Sequence, residues 1–253
     1  MFTNAIVRKP SKSMVEGLSD TDLGKPNYEK AYLQHQDYVL ALIECGLDVT
    51  ILDALEEYPD SCFVEDVTLI TPHCAILTNP GAETRQGEVQ FIEEAINNFG
   101  DVVEHIQSPA TVEAGDIMMV GNHYYIGLSA RTNHAGAEQL INILEQYGMT
   151  GSIVTLSEVL HLKTGLSYLE NNNLLATGEF LTKPEFQQFN IIEIPESDAY
   201  SANCIWVNGT VLVPARFPNT TKLIEDAGYR VREVDVSEYQ KIDGGLSCLS
   251  LRF

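Results

Sequence analysis

The strongest constraint on what this chain can fold into is a recurrence: a run of strand formers, a turn and a second run appear together again and again. The copies are "DVTLITPHCAILT" from Asp66, "DIMMVGNHYYIGL" from Asp116, "HLKTGLSYLENNNLLATG" from His161 and "NCIWVNGTVLVPA" from Asn203. Their turns, at Pro72-His73, Gly121-Asn122, Asn171-Asn172 and Asn208-Gly209, use residues that tolerate turn conformations, and Asn-Gly is the strongest short hairpin signal. After the first two hairpins come "GEVQFIEEAINNFG" and "AGAEQLINILEQYG", with apolar residues at helical spacing and stops at Gly100 and Gly148. "DVVEHI" and "GSIVTL" then read as strands. The fourth hairpin leads to a shorter helix at "TKLIEDAG" and a strand at "YRVREV", and the third passes through "KPEFQQFN" to "IIEI". The unit is strand, strand, helix, strand, at a period of roughly fifty residues that points to a repeat array.

A fifth unit exists if the chain closes on itself. "AYLQHQDYVLALIECG" supplies its helix, "DVTIL" its last strand and "TNAIVRKP" one strand of its hairpin; the missing strand is expected in "GLSCLSL" at the C-terminus. Pairing first and last strands would remove open edges, as radially repeated folds do. The expected fold is therefore an α/β five-bladed propeller of strand-strand-helix-strand units with pseudo-fivefold symmetry, a single domain over residues 1–253. In such an array Asp66, Asp116, His161 and Asn203, each opening the first strand of a hairpin, would lie at one level near the axis.

Composition limits the partners. Fifteen Lys and Arg against thirty-six Asp and Glu give a net charge of −21, which repels phosphate backbones and anionic membranes, so neither nucleic acid nor a membrane is expected as a partner. The acidic surface also serves plain solubility. The N-terminus lacks the basic start and apolar stretch of a signal peptide, so a cytoplasmic protein is expected. Cys45, Cys62, Cys74, Cys204 and Cys248 are odd in number, scattered and without a C-x-x-C pair, which indicates neither a disulfide framework nor a zinc ribbon.

Several residues acquire interest from position. Arginines recur after the second strands, at Arg85, Arg131 and Arg216, where the ordinary role is a surface ion pair. "YPDSCFVEDVTLI" concentrates Asp60, Glu65 and Asp66 where a strand begins, and "TVEAGDIMMV" adds Glu113 and Asp116 one repeat later. Such carboxylates serve as caps and solvated turns, or grip a planar cation, because a guanidinium donates in a fork that suits them. His161 alone of the six histidines stands at the hairpin position. Cys248 alone would be read as a small buried hydrophobe.

Taken together, "PDSCFVED", "EAGDI", "SARTN", "HLKTGLSYL" and "DGGLSC", in order and at compatible spacing over nearly the whole chain, closely resemble the dimethylarginine dimethylaminohydrolases. These belong to the guanidine-modifying (pentein) superfamily with arginine deiminases and amidinotransferases. The resemblance implies a five-bladed α/β propeller, independently of the repeat. By position it implies Cys248 as nucleophile, His161 as general acid/base and Glu113 as the carboxylate orienting that histidine. It implies substrate binding by Asp60, Glu65 and Asp66 at the guanidinium, with Asp66 foremost, by Arg85 and Arg131 at the amino-acid end, and by backbone groups of Leu18 and Ile242. The sequence departs from some relatives in having Ser247, not a second cysteine, before Cys248, and its Gly244-Gly245 pair bears on how the closing loop meets the substrate tail.

The chemistry gives these residue types a reason to occur together. A resonance-stabilised guanidinium needs a strong nucleophile at its central carbon and a proton for the leaving nitrogen; a thiolate and a histidine supply them, and carboxylates hold the plane. The implied reaction is hydrolysis of asymmetric dimethylarginine and monomethylarginine to citrulline and methylamines through a cysteine thiouronium, with no metal or cofactor. The methylated arginine is the expected small-molecule partner, and a homodimer is allowed. An arginine deiminase or amidinotransferase of the same superfamily is the nearest alternative, though the chain has no obvious room for the helical insertion common in arginine deiminases. A non-catalytic sensor of cationic amino acids is the alternative of another class.

Overall fold

The computed structural model describes residues 1–97, 99 and 102–253. The expected helix stop at Gly100 and the start of "DVVEHI" at Asp101 lie outside the described residues. Among the described residues, five three-stranded sheets are arranged as the blades of a propeller. In chain order their strands are Thr68–Ile70, Ala75–Leu77 and Val103–His105; Ile117–Val120, His123–Leu128 and Thr150–Thr155; Leu166–Tyr168, Asn173–Ala176 and Asn190–Glu193; and Ile205–Val207, Thr210–Pro214 and Arg230–Val234. In every one the middle strand pairs antiparallel with the first and parallel with the third. The parallel pairing needs a crossover, which is why each middle strand is followed by a helix or a compact turn before the third.

The fifth sheet closes the ring. Asn4–Arg8 pairs parallel with Asp48–Leu52 and antiparallel with Leu251–Arg252, in the register Ala5↔Arg252 and Ile6↔Leu251. The apolar clusters straddle neighbouring blades. One combines Ile6 and Leu251 with Val67, Leu77 and Ile92, another combines Ala5, Val7, Tyr38 and Leu42 with Val207, Leu212 and Tyr239. Among the described residues each of these clusters joins two blades, so closing the ring completes the core.

The helices Tyr28–Glu44, Gln90–Asn97, His134–Gln146 and Pro218–Asp226 follow the expected segments; the first, third and last start earlier than expected, and the second starts later, at Gln90, after a 3-10 turn over Glu83–Glu88. Asn27 and Asn133 cap the first and third by accepting from Lys30 N and Gly136 N, and Pro218 occupies the first turn of the last. In the third full repeat the crossover is made of 3-10 turns, Gly178–Leu181 and Pro184–Phe186. The Asn208-Gly209 turn has φ of 50° and 88°, the paired positive values that a tight hairpin requires.

One expectation is corrected. Cys248 does not lie in a strand: Ser247–Leu249 is a 3-10 turn and the strand is confined to Leu251–Arg252. The backbone groups that would have joined a ladder are taken elsewhere, Ser247 N–H by the Asn203 side chain and the Cys248 carbonyl by Glu65 N–H. The same is true at every repeat. Asp66, Asp116, His161 and Asn203 stand on turns just ahead of the inner strands, not within them.

Candidate active site

The five first strands lie innermost, and the turns that precede them bring their polar residues to one end of the axis. There a cavity of about 140 Å³ is lined by Leu18, Asp60, Asp66, Arg85, Glu113, Arg131, His161, Ile242 and Cys248, together with Asp243. A neighbouring cavity of about 480 Å³ shares His161, Asp243 and Cys248 and adds Lys163, Asn203 and Ser247. All but one of the residues expected at a site from sequence are thus brought together.

The exception is Glu65. Its carboxylate faces a separate cavity at the other end of the axis, with Thr68, Lys163, Ser247 and Arg252, and it pairs with Lys163 Nζ at 2.5 Å and Arg252 Nη2 at 3.7 Å. Adjacent residues on this tight segment point to opposite sides, so Asp66 lines the cavity of about 140 Å³ and Glu65 the separate one. Lys163 lines both ends, and the Lys163–Glu65 pair forms part of the wall between them. Lys163 was not singled out by sequence reasoning, although it lies two residues after His161.

His161 caps the 3-10 turn Leu162–Thr164, and its Nε2–H donates to Glu113 Oε2 at 2.8 Å. Glu113 is fixed in turn, its Oε1 accepting from Ala82 N–H at 2.9 Å. With Nε2 committed, Nδ1 is the ring nitrogen that can exchange a proton with a ligand. Burial disfavours the imidazolium, but the Glu113 hydrogen bond and the charges of Asp66, Asp116 and Glu113 outweigh it and raise the ring from 6.5 to about 9. It is therefore protonated at neutral pH. Glu113→Gln removes the charge while keeping an acceptor, so His161 should lose its proton at lower pH. Any activity requiring the imidazolium should then show its alkaline limb displaced downward by about a unit or more in a pH profile of kcat/KM.

Cys248 is held differently. Burial, together with the charges of Asp66 and Glu65, pushes its thiol up to about 12, while Gly245 N–H, 3.5 Å from Sγ, and the Lys163 charge favour the thiolate. Burial and the two carboxylates outweigh these, so the sulfur is a neutral thiol. The two glycines before it are required by packing: a Cβ on Gly244 would lie 2.2 Å from the Phe63 ring, and one on Gly245 2.5 Å from Asn203 Cγ. Cys62, by contrast, is buried in the apolar core, where its thiol is pushed up strongly by burial.

The charged groups divide into committed and available. Arg85 is 4 % exposed and donates to Asp66, to both oxygens of Glu88 and to the carbonyls of Phe63 and Asp60. Its guanidinium lines the cavity but is largely turned to protein acceptors. Asp66 also accepts from Gly115 N–H; burial opposes its charge, yet Arg85 and His161 hold it below its ordinary range. Asp60 accepts Leu18 N–H at 3.0 Å, and burial pushes its carboxyl up. Arg131 is the more open cation, with Nη1 3.9 Å from Glu113. The third recurring arginine, Arg216, keeps the ordinary role: it is exposed and pairs with Asp235 at 3.7 Å.

Leu18 N–H is taken by Asp60 and Ile242 N–H by Tyr239, so the backbone groups these residues have left for a ligand are their carbonyls. Asp243, another residue not anticipated, has φ 57° and accepts Asp20 N–H at 2.6 Å, latching the 16–24 loop over the cavity. Donor atoms of Asp66, Glu113 and His161 lie within 4.8 Å of one another, close enough to share a metal ion, but such an ion would compete with Arg85 and Arg131 for the same carboxylates.

A cavity lined by carboxylates, a thiol and a carboxylate-oriented histidine agrees with the comparisons. The family described as "N,N dimethylarginine dimethylhydrolase, eukaryotic" matches residues 19–179. The N(G),N(G)-dimethylarginine dimethylaminohydrolase of Pseudomonas aeruginosa is 60% identical over 254 residues, covering 100% of each chain, and that of Streptomyces coelicolor is 34% identical, covering 98% of this chain and 96% of its own. A solved Pseudomonas aeruginosa structure, a cysteine-to-serine mutant complexed with citrulline, superposes with a TM-score of 0.99 at 60% identity over 100% of both chains. The N-terminal domain of cyanobacterial ArgZ, an arginine dihydrolase, superposes at 0.90 over 100% of this chain and 97% of its own; at 20% identity that likeness speaks for fold alone.

Proposed function

The chain belongs to the dimethylarginine dimethylaminohydrolase family, and from that premise we propose that it hydrolyses Nω-methylated arginines to citrulline and methylamines through a covalent intermediate on Cys248. The observation that carries the assignment of residues is the convergence of Cys248, the His161–Glu113 pair, Asp66 and Arg131 on one cavity.

The substrate's guanidinium adds a cation beside Cys248 to the more distant charge of Lys163. Held in plane by Asp66, with Asp60 beside it, it lowers the cost of the thiolate, whose proton passes to solvent. Sulfur attacks the guanidinium carbon and a C–S bond forms. His161 Nδ1–H protonates the departing nitrogen, the C–N bond breaks, and dimethylamine leaves behind an S-alkylthiouronium. Neutral His161 then takes a proton from water, which adds to the same carbon. The C–S bond breaks, thiolate is regenerated, the proton left on the added oxygen passes to solvent, and neutral citrulline departs. The histidine ends protonated, ready for the next turn. Arg131 binds the α-carboxylate, and the carbonyls of Leu18 and Ile242 receive the α-ammonium. Arg85 assists by fixing Asp66, and Glu65 acts through Lys163.

We read residues 1–253 as one domain working in the cytoplasm without metal or cofactor. Among the described residues no helix is long and apolar enough to cross a membrane. The assembly we propose is a homodimer, supported by exposed Leu33, Leu40 and Ile43 on the first helix.

The test is incubation of the purified protein with asymmetric dimethylarginine. Citrulline and dimethylamine should appear in equal amounts. Binding without turnover would replace the hydrolase with a sensor. Arg131→Ala should raise KM for dimethylarginine about tenfold or more but hardly change the poor turnover of methylguanidine, which has no carboxylate. Equal losses on both compounds would remove Arg131 from the carboxylate site.

A further inference from the structure

The repeat sets one polar residue ahead of each inner strand, and the reaction above uses Asp66, His161 and Cys248 of these five. Asp116 and Asn203 remain. Asp116 ties the histidine turn to its own blade: Oδ1 accepts Leu162 N–H at 3.0 Å and Oδ2 accepts from Ser129 Oγ at 2.6 Å. Asn203 reaches further, because its single carboxamide touches two turns from different blades. Its Oδ1 accepts Ser247 N–H at 2.9 Å, and its Nδ2 donates to Ser247 Oγ at 3.1 Å and to the Lys163 carbonyl at 3.0 Å. Ser247 precedes the nucleophile and Lys163 follows the histidine by two residues.

We propose that Asn203 is a positioning residue for the reaction: it clamps the turn that carries Cys248 to the turn that carries His161, so that sulfur and imidazole address the same carbon. The inference rests on the hydrolase reading and adds to it the element that aligns the two groups. The geometry is specific to asparagine. Both the acceptor and the donor end of the amide are used, so aspartate would set an oxygen against the Lys163 carbonyl. Glutamine is one carbon too long where the Gly245 backbone already packs on the amide, close enough that a Cβ there would clash with it at 2.5 Å. Gly245 in turn supplies the N–H that faces Cys248 Sγ. Ser247 gains a role as well. Its hydroxyl accepts from Asn203, which leaves its own proton available toward Sγ, 3.9 Å away. Asn203 is 6 % exposed, so each of these contacts is made out of water, where losing a partner is costly.

Asn203→Ala and Asn203→Asp, made in the full chain, test the clamp by steady-state kinetics on asymmetric dimethylarginine, by thermal unfolding, and by the rate at which iodoacetamide alkylates the Cys248 peptide across pH. Both variants should lose about a hundredfold in kcat, the scale of a small misplacement of reacting groups, with KM within about threefold because the groups that bind substrate are untouched. In Asn203→Asp the added charge beside the sulfur opposes the thiolate, so alkylation of Cys248 should slow by about tenfold at a given pH. Wild-type kcat in either folded variant, or unchanged alkylation in Asn203→Asp, would overturn the proposal. So would a loss of activity that only tracks the fraction unfolded. Should Asn203→Ala fail to fold, Asn203→Asp, of nearly the same shape, decides on the same readouts. If the wild type itself does not turn over dimethylarginine, the hydrolase reading fails, and the alkylation rates still decide whether Asn203 sets the surroundings of the sulfur.

Discussion

Cys248→Ser is expected to abolish citrulline formation, by on the order of 10⁴-fold or more, while leaving the fold in place. The size of the loss follows from the reaction. A hydroxyl in this position would have to ionise in a site whose burial and carboxylates already push the more acidic thiol up to about 12. A bound guanidinium offsets that cost for sulfur, but not the larger one for a serine oxygen. The fold should survive because the substitution is nearly isosteric and the Ser247 and Glu65 contacts that hold the turn are made by backbone and neighbouring side chains. Thermal unfolding close to wild type checks the second point, and a citrulline assay the first. Mass spectrometry of quenched wild-type reactions should find the adduct on Cys248. Cys62→Ser should remain active, since Cys62 packs in the core and lines neither cavity at the site. An adduct found on Cys62 alone would reverse the two assignments.

The fold was legible because the same unit is written repeatedly and each copy needs the same local chemistry. Asn208-Gly209 must turn, "AGAEQLINILEQYG" must present one apolar face, and the strand at Asn4–Arg8 has no antiparallel partner unless the chain end supplies it. What was hidden depends on contacts distant in sequence. The alternation around Cys248 reads as a strand, yet the partner that bends it into a turn is Asn203, and the acceptor of Glu65 N–H is the Cys248 carbonyl. The orientation of Glu65 was hidden for a related reason: residues 59–66 look like one acidic grip until the turn sends neighbouring side chains to opposite ends of the axis. Arg85 could be placed near the site by its position after a second strand, but its engagement with Glu88 and the Phe63 carbonyl becomes visible only when the cavity wall is assembled.

His161→Gly is the second large effect, expected to lower kcat by about 10²- to 10⁴-fold, the range for removing a general acid/base. The residue serves both half-reactions, so both should slow, and which slows more is readable from the adduct. If water attack suffers more than amine release, the Cys248 thiouronium accumulates and appears in intact-mass spectra of the working enzyme; if amine release suffers more, it does not. The pH profile separates this role from a structural one. In the wild type the imidazolium persists until about pH 9, because Glu113, Asp66 and Asp116 outweigh the burial that opposes it. The proton needed by the leaving nitrogen is therefore present through neutral pH and lost above that range, and the alkaline fall of kcat/KM should reflect it. Glycine has no proton to lose there, so the variant's residual activity should show no fall near pH 9 from this group. It should instead keep rising with the thiolate fraction of Cys248. A variant that retained both the wild-type rate and the wild-type alkaline limb would return His161 to the scaffold and require another acid, with Asp243, which lines both cavities, the next residue to replace.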